Sequence, residues 1–236
     1  MRVLSRVRRA GWAAGLAGVT LFAGACAASP DVPGSLSTPD SGASGATSGS
    51  PRAVAEPVAL AVVGDSNSTG YSGTIDAGRA AGTAWVAFLP PEKFTYVGGW
   101  AVDGATTTNM ADAATAVPGV ELLVIMGGTN DLARGIPIET TLSELQRVAA
   151  NVEAPSVAIA AIAPYDYSPD AALALNTAYE KLARDNGWIF VDPWITTRTA
   201  DGVWIVDYVT DGVHTNAAGY AQAAKQIADQ LATAAR

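Results

Sequence analysis

Short apolar runs at Val58–Val63, Phe94–Val97, Glu121–Met126, Val157–Ile162 and Trp188–Val191 alternate along this chain with longer stretches of helical spacing. A short continuous apolar run is the pattern of a strand buried on both faces. The helical stretches are clearest at Ile138–Val152, Pro169–Asn186 and Asn216–Ala234; in the last, Asn216 stands as an N-cap and Tyr220, Ala223, Ile227 and Leu231 fall on one face. Strand–helix alternation of this kind predicts an α/β fold, a three-layer α/β/α sandwich around a five-stranded parallel sheet. A mixed α+β arrangement has no run of consecutive strands to support it.

The alternation begins only at Val58. Residues 1–10 are basic, residues 11–25 form an uncharged, largely apolar run, and Ala23-Gly24-Ala25 leads into Cys26. This is the three-part plan of a secretory signal peptide over residues 1–25, and the run is shorter than the roughly 20 residues of a spanning helix. Ala23-Gly24-Ala25-Cys26 resembles the lipobox of bacterial lipoproteins, which implies a lipidated Cys26 and a membrane tether; cleavage one or two residues later would discard the cysteine. Residues 26–57 are rich in Ser, Gly, Pro, Thr and Ala and bury too little to offset their ordering entropy, so they are expected to form a disordered tether. The folded domain then spans residues 58–236, and the expected location is extracytoplasmic, either secreted or lipid-anchored.

Charge narrows the partners. The net charge is −8, and Arg2, Arg6, Arg8 and Arg9 all lie in the leader, so the folded body is more acidic still. Without clustered Lys and Arg it has no face for a polyanion, which argues against nucleic acid. The single cysteine, Cys26, excludes an intramolecular disulfide and a cysteine-ligated zinc in the body. The single histidine, His214, makes any mechanism that needs an imidazole depend on one residue.

In parallel α/β sheets ligands bind beyond the carboxyl ends of the strands, and the chemistry-bearing segments of this chain follow its strands. Gly64-Asp65-Ser66-Asn67 follows the first, Asp103-Gly104-Ala105-Thr106 the second, Gly127-Gly128-Thr129-Asn130-Asp131 the third, and Asp211-Gly212-Val213-His214 precedes the final helix. With strand order 2-1-3-4-5 the first three loops are neighbours. A serine hydroxyl needs a base within hydrogen-bond reach, commonly a histidine held by a carboxylate. Ser66, His214 and Asp211 are the candidates, with Asp192 a rival carboxylate after the fifth strand. The backbone N–H groups of Ser66 and Gly104 and the amide of Asn130 are candidate donors to an oxyanion. Asp65 and Asp131 are expected to hold loops through backbone N–H groups.

These four segments resemble the SGNH hydrolases, the GDSL esterase/lipase family, across about residue 58 to the C-terminus. The resemblance implies a flavodoxin-like SGNH hydrolase fold, Ser66 as nucleophile, His214 as general base then acid, Asp211 as orienting carboxylate, and Ser66, Gly104 and Asn130 as the oxyanion hole, with no cofactor and no metal. Asn67 stands where the family usually has Leu, which changes the packing beneath the nucleophile. The expected function is serine-dependent hydrolysis of carboxylic esters, with short acyl chains because no long insertion separates the blocks to form a lid. Acetyl groups on carbohydrate or cell-wall material are the candidate substrates. Transfer of the acyl group to another alcohol would use the same residues, whereas a carbohydrate-binding module would have no use for them. A nucleotide site is disfavoured because the first loop lacks a P-loop Lys and the GxGxxG spacing. Trp85 and Phe88 are expected on a core-facing helix. Tyr71, Trp100, Trp204 and Tyr208 are expected in loops, either lining the substrate site or packed on the sheet edge.

Overall fold

The structure, a computed structural model, describes residues 56–71, 74–75 and 82–234. Residues 1–55, which include the signal segment, Cys26 and nearly all of the expected tether, lie outside the described residues. The elements run β1 (Val58–Gly64), α1 (Ser66–Thr69), β2 (Thr74–Ile75), a 3₁₀ turn (Trp85–Phe88), β3 (Phe94–Val102), α2 (Thr107–Ala113), β4 (Leu122–Met126), α3 (Thr129–Ala133), α4 (Ile138–Val152), β5 (Ser156–Ala160), α5 (Pro169–Asn186), β6 (Ile189–Val191) and α6 (Ala217–Ala234).

Five strands are parallel, in the order β3-β1-β4-β5-β6, which is the expected 2-1-3-4-5 arrangement. The two-residue β2 adds an antiparallel edge beside the end of β3. Alternation along the central strands divides the core into two. Leu60, Val62, Val124 and Met126 pack with Trp85, Trp194, Tyr220 and Ile227 on one face. Ala61, Val63, Leu123 and Ile125 pack with Leu145, Val148, Leu175 and Tyr179 of α4 and α5 on the other. Both faces are therefore covered, which is why β1 and β4 read as unbroken apolar runs.

Helix ends follow local signals. Ser168 precedes α5 with Pro169 in its first turn, and Gly187 closes it at φ 69°. The Asn216 side chain accepts the Gly219 N–H at 3.1 Å, capping α6 as its sequence suggests.

Two expectations are corrected here. The second strand does not stop at Val97 but continues to Val102, so Trp100 lies on β3 and not in a loop. The register against β1 shifts between Leu60 and Ala61, whose partners are Tyr96 and Gly98, leaving Val97 as the extra residue of a bulge. Gly98 and Gly99, which read as a strand end, are what the bulge requires: Gly99 has φ 135°, and a Cβ there would lie 1.9 Å from the Val62 carbonyl oxygen. The expected helix around Trp85 is a single 3₁₀ turn that buries Trp85 and leaves Phe88 39% exposed, because four residues present only one inward face.

Gly99→Ala is expected to destabilise the fold by about 3 kcal/mol or more, or to abolish it, because the added methyl meets backbone at a φ that alanine rarely adopts. Urea unfolding of the variant beside the wild type measures this.

Candidate active site

The carboxyl end of β1 turns directly into α1. Asp65 caps that helix, its Oδ1 accepting the Asn67 N–H at 3.0 Å, and Gly70 ends it at φ 71°. Ser66 is thus the first helical residue beyond a central strand, 5% exposed, at the carboxyl end of the parallel sheet. Asp65 N–H donates to the Met126 carbonyl of β4 at 3.3 Å, tying the turn to the next strand. A Cβ on Gly64 would come within 2.6 Å of that same carbonyl oxygen, so glycine permits the close approach.

His214 arrives from the other end of the chain. Its Nε2 lies 2.8 Å from Ser66 Oγ and its Nδ1 lies 2.7 Å from Asp211 Oδ2. Asp211 Oδ1 also accepts the backbone N–H groups of Val213 at 2.9 Å and His214 at 2.8 Å, folding the segment back so that the carboxylate faces its own histidine. Burial pushes the Asp211 carboxyl up, but the His214 ring and these two backbone donors outweigh it and hold the group below the ordinary carboxylate value. An ionised Asp211 accepts from Nδ1–H, which leaves Nε2 as the acceptor facing the serine hydroxyl. Asp192 is occupied elsewhere: both its oxygens accept from Arg198, at 2.7 and 2.5 Å, and Oδ1 also accepts the Trp194 N–H.

Gly104 and Asn130 are brought together by the turns after β3 and β4. Gly104 has φ 78°, and the nearest atom to a Cβ there would be Arg134 Nη2 at 3.9 Å, so backbone conformation and not crowding demands glycine. Arg134 donates to the Gly104 carbonyl at 2.8 Å, and the Asn130 side-chain amide donates to the Ala105 carbonyl at 3.0 Å. One amide hydrogen of Asn130 is thereby held, and the second, without a partner among the described residues, can serve a ligand oxygen. Asp131 is fully buried and accepts from Thr107 N–H at 2.9 Å and Thr107 Oγ at 2.5 Å, pinning α2 to α3 as a loop-holding carboxylate.

The aromatic candidates separate. Tyr71 is 61% exposed and its ring stacks on that of His214, centroids 4.0 Å apart and planes 16° apart. Trp100 borders a groove of about 320 Å³ beside Gly104, shared with Val102, Asp103, Ala105, Asn109 and Asp112. Trp204 does not line the site: it is 5% exposed and packs edge-on against Trp194 in the core. Tyr208 likewise packs against that core, while its carbonyl accepts from Thr215 Oγ and the Asn216 N–H. Their place in a polar loop suggested the cleft, but Trp204 is turned into the core and Tyr208 rests half-buried against it. A larger apolar cavity of about 400 Å³, lined by Val58, Phe94, Leu122, Ile189 and Leu231, sits at the amino ends of the strands, away from Ser66 and His214.

Two supporting residues, Tyr167 and Asp166, carried no sequence signal. Tyr167 donates its hydroxyl to the Asp211 carbonyl at 3.0 Å, and Asp166 N–H donates to the Gly212 carbonyl at 2.9 Å, so the loop after β5 braces the turn that carries the carboxylate. Asn67 is buried, its Nδ2 3.5 Å from the Val213 carbonyl and its Oδ1 3.4 Å from the Tyr220 hydroxyl. The polar residue in this position bridges the serine turn, the histidine loop and α6. Beside it Asp65 is buried with one carboxylate oxygen unpartnered among the described residues.

The α/β/α fold and this arrangement of residues are those of an SGNH-type hydrolase. Residues 62–222 match the model of the GDSL-like lipase/acylhydrolase family, and the chain belongs to that family of carboxylic ester hydrolases. No curated protein matches the sequence. Among solved structures, a member of the lipolytic protein G-D-S-L family from Veillonella parvula is similar at 22% identity and a TM-score of 0.56, over 73% of this chain and 97% of that one. The native aryl esterase of M. smegmatis is similar at 19% identity and 0.53, over 75% and 99%. A catalytic mutant of an acetylxylan esterase from Geobacillus stearothermophilus is similar at 15% identity and 0.57, over 75% and 94%. At these identities they share the fold.

Burial raises the Asp65 carboxyl to about 7, and the charges of Asp131 and Asp103 add to the rise against the opposing Asn67 N–H. The folded protein therefore keeps this proton over a range where the unfolded chain has released it. Stability linked to Asp65 is full below about pH 4 and is lost as pH rises to about 7, by up to about 4 kcal/mol. Asp65→Asn is expected to flatten that part of the stability profile, measured by denaturant unfolding at pH 4, 6 and 8.

Proposed function

We propose that this protein is a serine esterase that works through an acyl-enzyme, with Ser66 as nucleophile, His214 as general base and acid, and Asp211 as the carboxylate that orients and stabilises the imidazole. The observation that carries this reading is the unbroken relay Asp211 Oδ2–Nδ1 His214 Nε2–Oγ Ser66, at 2.7 and 2.8 Å. Ser66 Oγ attacks the ester carbonyl carbon while its proton passes to His214 Nε2. The developing oxyanion is received by the backbone N–H groups of Ser66 and Gly104 and by the free amide hydrogen of Asn130. Collapse of the intermediate breaks the bond to the alcohol, which leaves with the proton from His214. Water then attacks the acyl-enzyme, gives its proton to His214, and the acid is released as Ser66 recovers its own.

The acyl group we assign is short, acetyl being the natural case, and the alcohol is a carbohydrate of cell-wall or plant type. The groove beside Gly104 supports this assignment. It is lined by Trp100 together with Asp103, Asp112 and Asn109, a combination of an aromatic side chain with polar groups that suits a polyhydroxylated ring.

Hydrolysis of p-nitrophenyl esters from two to twelve carbons tests both parts. The wild type is expected to be fastest on the two-carbon ester, and Ser66→Ala to lose activity by about 10⁴-fold or more with an unchanged circular dichroism spectrum. Rates rising steadily with chain length would overturn the short-acyl assignment, and an active Ser66→Ala would overturn the nucleophile.

We further propose that residues 1–25 direct export, that Cys26 is lipidated, and that residues 26–57 tether the domain of residues 58–236 outside the cytoplasmic membrane. The order of charge, apolar run and small residues before Cys26 supports this reading. Cys26→Ser is expected to move the protein from the membrane fraction to the medium. An equal distribution of wild type and variant would refute lipidation.

A further inference from the structure

Tyr71 departs from two ordinary preferences. Its backbone sits at φ 55°, immediately after Gly70 at φ 71°, although a bulky side chain disfavours this left-handed region. Its ring is 61% exposed, yet it is not loose, since it lies almost flat on the imidazole of His214 with centroids 4.0 Å apart. The Tyr71 N–H donates to the Ser66 carbonyl at 2.9 Å, so the turn that positions the serine also carries the tyrosine. One short segment, residues 65–71, thereby supplies the hydroxyl at the edge of the imidazole and an aromatic ring on its face.

The Tyr71–His214 stack responds to the charge of the imidazole. Two neutral aromatic rings stack in parallel when offset, which relieves the repulsion between their electron-rich faces. The attraction grows when one ring becomes a cation, drawn to the electron-rich face of the other. In the proposed cycle His214 becomes an imidazolium each time it takes a proton, and it does so in the transition states for both attack steps. An interaction stronger in those states than in the resting enzyme accelerates the reaction, whereas one equal in both does not.

We infer that Tyr71 is a positioning residue for His214: its ring holds the imidazole in the plane that joins Ser66 to Asp211 and stabilises the imidazolium through its π face. The inference rests on the esterase reading above. The chain's single histidine makes it directly testable, because the protein has one imidazole to observe.

The full chain is compared as wild type, Tyr71→Phe and Tyr71→Leu, by kinetics on p-nitrophenyl acetate and by NMR of the His214 ring protons. In the wild type and Tyr71→Phe those protons are expected upfield, in the ring current of the neighbouring aromatic, and in Tyr71→Leu they move downfield. Tyr71→Leu is expected to lower kcat about tenfold with KM changed less than about threefold, and Tyr71→Phe to recover kcat to within about threefold of wild type. Should Tyr71→Leu fail to fold, Tyr71→Gly, which adopts the required φ without strain, gives the same comparison.

A change carried by KM would overturn the inference in favour of a substrate-binding wall. Loss of kcat that Phe does not recover would overturn it in favour of a role for the hydroxyl. Ring protons that do not respond to Leu would refute the stack. A wild type inactive on every ester but with upfield ring protons would defeat the esterase reading while leaving the contact in place, so the two failures are distinct.

Discussion

The hydrogen bond from Ser66 Oγ to His214 Nε2 joins residues 148 positions apart, and much of the fold is arranged so that its two ends meet within 2.8 Å. No local interaction could do this. The serine end is set by β1, a central strand buried on both faces, whose last residue passes so close to β4 that only glycine fits. The histidine end is set by α6, which packs Tyr220, Ile227 and Leu231 on one face of the same sheet and so delivers its preceding loop to the carboxyl end of β1. The sheet acts as the ruler between the two ends. Its packing energy supports a polar contact worth little in net stability on its own.

Around that bond the structure uses hydrogen bonds between loops to limit freedom that strands and helices leave open. Asp211 is folded back by two backbone donors of its own turn and braced from outside by Tyr167 and Asp166. Asn130 spends one amide hydrogen on Ala105, and Arg134 holds the Gly104 carbonyl, so the turns after β3 and β4 are tied together. Each bond of this kind contributes modestly to stability, and their combined effect is preorganisation: groups that would otherwise wait for substrate to order them are already in place. Beneath the serine the bridging Asn67 makes the packing directional where an aliphatic residue would have made it only apolar. Asp65 is the exception, a buried carboxyl with one oxygen unpartnered among the described residues and a raised pKa, which links the stability of the serine turn to pH.

Much of this was legible in the chain before any coordinates. The strand–helix alternation, the bounds of α4 and α5 and the cap at Asn216 follow from periodicity and turn chemistry, because each is decided by residues close in sequence; the strand order expected is only the common one for such a fold, and the structure has it. The candidate site residues were legible for a different reason, since their chemistry is scarce: one histidine, a carboxylate three residues before it, and polar glycine-rich turns after strands. The aromatic residues were not legible. Trp204 sits in polar company but turns inward, Tyr208 rests half-buried against the core, Phe88 sits among apolar neighbours but faces out, and Trp100 lies beyond two glycines that mark a bulge and not a strand end.

The sequence by itself determined the fold class, the sites of the turns and the identity of the groups that could carry ester chemistry, because these depend on local propensity and on which side chains are present. Tertiary structure alone decided which groups meet. It selected Asp211 over Asp192, whose oxygens Arg198 already holds, and it gave Asn67 two partners from distant loops. It also laid Tyr71 on the face of His214. Those choices depend on distances across the sheet, set by the packing of both faces at once, and no stretch of neighbouring residues encodes them.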